Sequence, residues 1–223
     1  MGSRNREIGQ WQYVPPFFKK LNGRYKRIRK RCKGKPHPLV YEHKKECLAE
    51  LEALADEGKI DLYYGDETHV SSQGYVPSGW HFPEEQICTY VEKGYKINVF
   101  GLINKANECH WASTENNINS TFIISFLCTF ARQIKRETVL VLDNASIHHS
   151  HAFERARVEW ERQGLYIFFL PVYSPHLNRA EVLWRILKAQ WIDPMDYLTP
   201  DDLKYAVSQA MNAIGTILNI NFT

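Results

Sequence analysis

Two hydrophobic rhythms alternate along this chain, one near every second residue and one near every third or fourth. Leu48, Leu51, Leu54 and Ala55 recur at helical spacing among charged residues, and Gly58 follows. That spacing predicts a helix over 39–56, with the glycine just past its C-terminus. Residues 60–67, IDLYYGDE, read as a strand ending at an acidic pair, and the SSQGYVPSGW that follows reads as loop. YKINVFGLI (95–103) and ECHWAS (108–113) read as strands joined by the turn NKAN. Residues 119–136 are apolar along one side and predict a helix capped by Asn119 or Ser120. TVLVLD (138–143) and LYIFFLP (165–171) read as strands, with a helix over 150–163 between them. NRAEVLWRILKAQW (178–191) predicts a helix capped by Asn178, and a last helix runs from Thr199 or Pro200 to Gly215.

The late strands are separated by helices, which implies parallel crossovers. The early strands are close enough in sequence to form hairpins. The expected fold is therefore α/β, a mixed sheet flanked by helices on both faces. Before it, Pro15-Pro16 and GKPHP (34–38) bracket residues 17–31, which suit one basic helix. The division expected is a basic N-terminal arm over 1–36 and a catalytic-sized domain over 37–223.

Charge sharpens that division. The chain of 223 residues holds 28 Lys and Arg against 25 Asp and Glu. Residues 1–36 carry 12 of the bases and a single acid, Glu7, leaving 16 bases and 24 acids for the remainder. A basic arm on an acidic body points to a polyanionic partner. Arg24, Lys26, Arg27, Arg29, Lys30, Arg31 and Lys33 are the candidate nucleic-acid contacts, because so many like charges repel one another unless phosphates neutralise them. A solvated charged helix is the plainer reading of the same run.

Acids at strand ends carry the candidate chemistry. Asp66 follows the first predicted strand, Asp143 follows VLVL, and Glu181 sits in a first helical turn among Leu177, Val182, Leu183 and Trp184. In an open sheet, ligands gather beyond the carboxyl ends of the strands, so the three can converge at one edge. Clustered carboxylates repel and call for a compensating cation. Hard oxygen donors suit Mg²⁺ or Mn²⁺, and two such ions roughly 4 Å apart can activate a water or a 3′-hydroxyl and stabilise the leaving oxygen of a phosphodiester. Each acid also has a plainer reading. Asp143 can cap the next helix, Glu67 can replace Asp66 as the working acid, and Glu181 can simply complement the helix dipole.

His148, His149 and His151 lack the i, i+4 spacing of a helical zinc pair, and no cysteine is near them. His148 is the one expected to face the site, as a phosphate or water contact. The other two read as surface or helix-start residues. The five cysteines are scattered and form no CxxC, which argues against a disulfide framework and a zinc ribbon and fits a reducing cytoplasm. No apolar run approaches the roughly 20 residues of a membrane span, and the start MGSRNREIGQ lacks the apolar core of a signal peptide.

Taken with YGDET, VPSGWHFP, NVFGLIN, VLDNASIH, LPVYSPHLNRAEVLWRILK and AIGTILNINF, the chain resembles the DDE transposases of the mariner-like superfamily, nearest its bacterial insertion-sequence branch numbered six-thirty. The resemblance spans residues 17–222 and is most specific over 170–188. It implies a ribonuclease H-like core, a DDE superfamily endonuclease domain, with Asp66, Asp143 and Glu181 as catalytic and metal-binding triad for two divalent ions. It implies double-stranded DNA as partner, cleavage at transposon ends, strand transfer into target DNA, and a homodimer on DNA. Asn144, His148 and Asn178 match motif positions with supporting roles. Two features depart from the family pattern. Only the end of a helix-turn-helix region and its basic linker are recognisable, and Arg179 stands where the family has proline or an aliphatic residue. The alternatives are a ribonuclease H-like nuclease that does not transpose, and an inactive remnant that only binds DNA.

Overall fold

In strand β4 (Thr138–Leu142), Val139 and Val141 turn to one side of the sheet and Leu140 and Leu142 to the other. This period of two, repeated in the neighbouring strands, builds two cores on one sheet. The computed structural model describes residues 34, 36–72, 94–145 and 150–222. In chain order these are α1 (Pro38–Asp56), β1 (Asp61–Ser71), β2 (Lys96–Ile103), β3 (Cys109–Thr114), α2 (Ser120–Ala131), β4, α3 (His151–Arg162), β5 (Leu165–Phe169), α4 (Ala180–Ile186) and α5 (Pro200–Ala213).

The five strands lie in the order β3-β2-β1-β4-β5. β2 is antiparallel to both β1 and β3, while β4 is parallel to β1 and to β5. Leu48 of α1, Leu183 and Trp184 of α4, and Leu203 and Val207 of α5 pack on the Val139–Val141 side. Ile123 and Leu127 of α2, with Phe153 and Trp160 of α3, cover the Leu140–Leu142 side. A fully buried leucine in either layer contributes about 1.5–3 kcal/mol through its removal from water. The expected mixed sheet with helices on both faces is what forms.

Several boundaries differ from the sequence expectation. β1 runs to Ser71 rather than ending at the acidic pair, because β2 pairs with it from Tyr64↔Ile103 to Ser71↔Lys96. Its parallel ladder with β4 stops at Tyr64↔Val141. Asp66 is therefore mid-strand with respect to β2, yet beyond the end of the β4 ladder. α2 is capped by Asn119, whose side chain accepts from the Phe122 N–H, and stops at Ala131 instead of continuing to 136. Gln133 N–H turns back to the Phe130 carbonyl, and Arg136 is tied to Asp61 and the Gly58 carbonyl, which delivers the chain to β4. The helix expected over 178–191 is a short α4 followed by a π-turn at Leu187–Trp191. The last helix ends at Ala213, where Ile214 turns extended and Gly215 takes a φ of 79°. The basic arm with its candidate DNA contacts, the VPSGWHFP segment and His148 lie outside the described residues.

Candidate active site

Strand parity places the acids. On β1, Leu62 and Tyr64 face the layer that holds α4, and Asp66 follows in the same phase. Asp66 is two positions past Tyr64, and Asp143 is two past its ladder partner Val141. The two aspartates thus emerge side by side at the edge where the parallel ladder ends. Asp143 holds the turn out of β4, its Oδ1 accepting the Ala145 N–H at 3.1 Å. Asn144 is exposed beside it. Glu181 comes from the first turn of α4, above the same face.

Asn178 fixes that helix to the strand. Its Nδ2 donates to the Gly65 carbonyl at 3.0 Å, and its Oδ1 accepts the Ala180 N–H at 3.1 Å. One buried side chain therefore links the residue before Asp66 to the residue before Glu181. Asn178 caps the first free N–H of the helix, although Arg179 is the residue at the cap position. Gly65 sits where space is short: a Cβ there would stand 2.8 Å from the Leu102 and Leu142 side chains, both of which would have to shift.

Asp66, Glu67, Thr68, Glu181, Trp184, Arg185 and Lys188 line a cleft of about 290 Å³. Burial, and then the charges of Glu181, Glu67 and Asp143, push the Asp66 carboxyl up to about 8. Partial burial and Asp143 also hold Glu181 above the usual carboxylate range, against the pull of Lys188. Lys188 is in turn held below its usual value by burial, with Glu181 and Asp66 opposing. The cleft is thus an acidic cluster with one half-buried ammonium for partial compensation. Glu67, the alternative to Asp66, lies in the opposite strand phase but borders the same cleft.

Two larger cavities, about 520 and 550 Å³, share Cys109, His110, Phe130 and Gln133 beside β3 and α2. They are aromatic, with no comparable cluster of acids, so charge rather than size picks out the smaller cleft. Among the described residues no three His, Cys, Asp or Glu side chains already converge at metal-ligand spacing. The triad is close enough for its charges to couple but not drawn in around a common point. Its chemistry, hard oxygens in mutual repulsion, fits a divalent cation that would draw them together. Cys47, Cys109 and Cys128 are free thiols, and His151 is exposed at the start of α3.

Arg179, the residue that departs from the family pattern, is held by other parts of the chain. Its Nε and Nη2 both bind Glu52 at 2.9 Å, and its Nη1 donates to the Phe222 carbonyl at 3.0 Å. Glu52 had no signal in the sequence, being one acid among several on an amphipathic helix.

A family model described as "DDE superfamily endonuclease" matches residues 61–204. A curated relative, the "Insertion element IS630 uncharacterized 39 kDa protein" of Shigella sonnei, is 26% identical over 152 residues, covering 65% of this chain and 43% of its own. That match bears out the resemblance to the insertion-sequence branch, and the chain spans less than half of that relative. Among solved structures, the Mos1 mariner paired-end complex with Mn is similar with a TM-score of 0.61 at 15% identity, over 91% of this chain and 63% of that one. The Mos1 transposase paired-end complex with the left transposon end gives 0.59 at 14% identity, over 91% and 63%. At such identity these likenesses speak to the fold, and they bear out a ribonuclease H-like core. With a family match that takes in β1, β4 and α4 together, the chain belongs to the DDE superfamily of endonucleases.

Proposed function

We propose that this chain is the catalytic core of a transposase, cutting DNA at transposon ends and joining the cut strand to target DNA. The observation that carries the reading is the electrostatic coupling of Asp143 and Glu181 to Asp66, whose carboxyl is pushed up to about 8 by burial first and then by the charges of Glu181, Glu67 and Asp143. In this reading all three are catalytic metal ligands. Two Mg²⁺ or Mn²⁺ ions held there would activate the attacking oxygen and stabilise the leaving one. The residues do the rest. Asp143 is set by its turn and Asn178 locks α4 to β1, so the carboxylates reach a phosphodiester from one side. Lys188 and Arg185 line the same cleft as cations beside the acids. Cleavage adds water across one P–O bond and leaves a 3′-hydroxyl. In transfer that hydroxyl attacks a target phosphodiester and releases its 3′-oxygen, so bonds exchange one for one.

The arm over 1–36 supplies the phosphate contacts through Arg24, Lys26, Arg27, Arg29, Lys30, Arg31 and Lys33, with the core over 37–223. His148 and Asn144 support the site. The partner is double-stranded DNA, with a homodimer on the paired ends, in the bacterial cytoplasm at the nucleoid. Among the described residues no helix is long and apolar enough to cross a membrane.

The test is a Mg²⁺-dependent assay on three substrates: duplex with the element's ends, random duplex, and RNA–DNA hybrid. The reading expects nicked ends and joined products from the first. RNA-strand cleavage of the hybrid would identify a nuclease that does not transpose. Binding with a steep salt dependence but no cleavage would identify a remnant.

A further inference from the structure

Arg179 sits two residues before Glu181, and Tyr64 sits two residues before Asp66. These two neighbours are joined. The guanidinium lies 5.8 Å from the centre of the Tyr64 ring, and the Tyr64 hydroxyl donates to the same Glu52 oxygen that Arg179 binds. We propose that Arg179 is a positioning residue: with Glu52 and Tyr64 it forms a latch that holds the start of α4, and so Glu181, against β1. This inference rests on the metal-binding role proposed for Glu181.

Three observations carry it. All three guanidinium nitrogens are engaged, two by Glu52 and one by the Phe222 carbonyl, so the side-on fork of Nε and Nη2 is taken by a protein carboxylate. A positive charge at a helix N-terminus opposes the helix dipole, so α4 itself gives no reason for the arginine to be there. Glu52 on α1 supplies the reason from 127 positions away in sequence. Finally, α4 is only seven residues long, with no cap from the Arg179 side chain, so its placement depends on outside contacts. Asn178 supplies one to β1 and the latch supplies another. The latch also ties in the chain's end, where Ile220 N–H donates to Asn107 Oδ1 at 2.7 Å and Asn107 Nδ2 donates to the Ile220 carbonyl at 3.2 Å.

The experiment is a calorimetric Mn²⁺ titration without DNA on wild type, Arg179→Met, Glu52→Gln and the double variant, with duplex affinity measured separately in chelator. Partners that orient metal ligands from outside typically change metal affinity by 10–100-fold. Each single variant is expected to weaken Mn²⁺ binding about tenfold, and the double variant no further than about tenfold, because both break one latch. Duplex affinity stays at the wild-type value. Unchanged Mn²⁺ affinity in Arg179→Met overturns the latch, as do losses that multiply in the double variant. A drop in duplex affinity and in its salt slope instead assigns Arg179 to phosphate and also overturns it. Glu52→Gln keeps volume and a carbonyl acceptor, so it carries the test if Arg179→Met melts below the assay temperature, and wild-type affinity there is equally decisive. Asp143→Ala separates the two levels. If it binds Mn²⁺ like wild type, the metal reading fails; if it loses Mn²⁺ while both latch variants keep it, only the latch fails.

Discussion

Asp143→Ala or Glu181→Gln is expected to lower divalent-dependent strand cleavage by on the order of 10³-fold, about 4 kcal/mol of transition-state stabilisation. The expectation follows from where the charges stand. Asp143 and Glu181 both raise the Asp66 carboxyl, so each belongs to one electrostatic unit. A group acting as a unit loses most of its effect when any member goes. Glu181→Gln keeps the size of the side chain and its place in α4, so the loss cannot be assigned to packing. Glu181 is only partly buried, with much of its side chain open to solvent, which makes a folding defect in this variant unexpected. Duplex affinity in chelator is the internal control and should be unchanged or higher, because an acid near the phosphates has been removed. Cleavage within threefold of wild type in both variants would show that these acids are not the working ones.

In chelator, the stability of the wild-type chain is expected to fall by about 2 kcal/mol relative to Asp66→Asn between pH 5 and pH 8. The sign follows from the Asp66 carboxyl, ordinarily near 3.8 and pushed to about 8 by burial and then by Glu181, Glu67 and Asp143. Between those values the folded chain keeps a proton that the unfolded chain has lost. Stability from this group is complete below the lower value and is lost as pH rises toward the upper one. The loss is smaller than the full shift would require, because Asp66 keeps some contact with water and its neighbours can turn away. Above pH 8 the folded site is ionised and the slope levels out. Asn at 66 keeps the shape and removes the titration, so above neutral pH this variant should be the more stable protein. Mn²⁺ should reverse the trend for wild type by favouring the ionised form. Urea unfolding at several pH values measures this. Equal slopes in the two proteins would show that Asp66 does not carry the coupling.

Much of the architecture is legible along the chain, and the reasons are local. Val139 to Leu142 alternate between two cores, and the same alternation in β1 and β2 announces a sheet covered on both faces. Asp143 is visible because an apolar strand stops abruptly there. Asp66 reads in the sequence as a strand-end acid, yet β1 continues past it to Ser71. What makes its edge accessible is that β4 stops earlier than β2 does, a property of pairing between segments far apart in sequence. The π-turn after α4 is hidden because Leu187 keeps helical spacing and is buried as a continuing helix would require. The Arg179–Glu52 pair is hidden for the opposite reason. Neither residue has a local pattern, and Arg179 next to an acidic motif suggests phosphate until its partner is seen.

The most direct measurement is anomalous scattering from crystals of the whole chain soaked in Mn²⁺. Density is expected between β1, the end of β4 and the start of α4, with oxygens of Asp66, Asp143 and Glu181 about 2.0–2.3 Å from manganese. Manganese bound elsewhere, or a peak in this cleft that persists unchanged in Asp143→Ala, would contradict it.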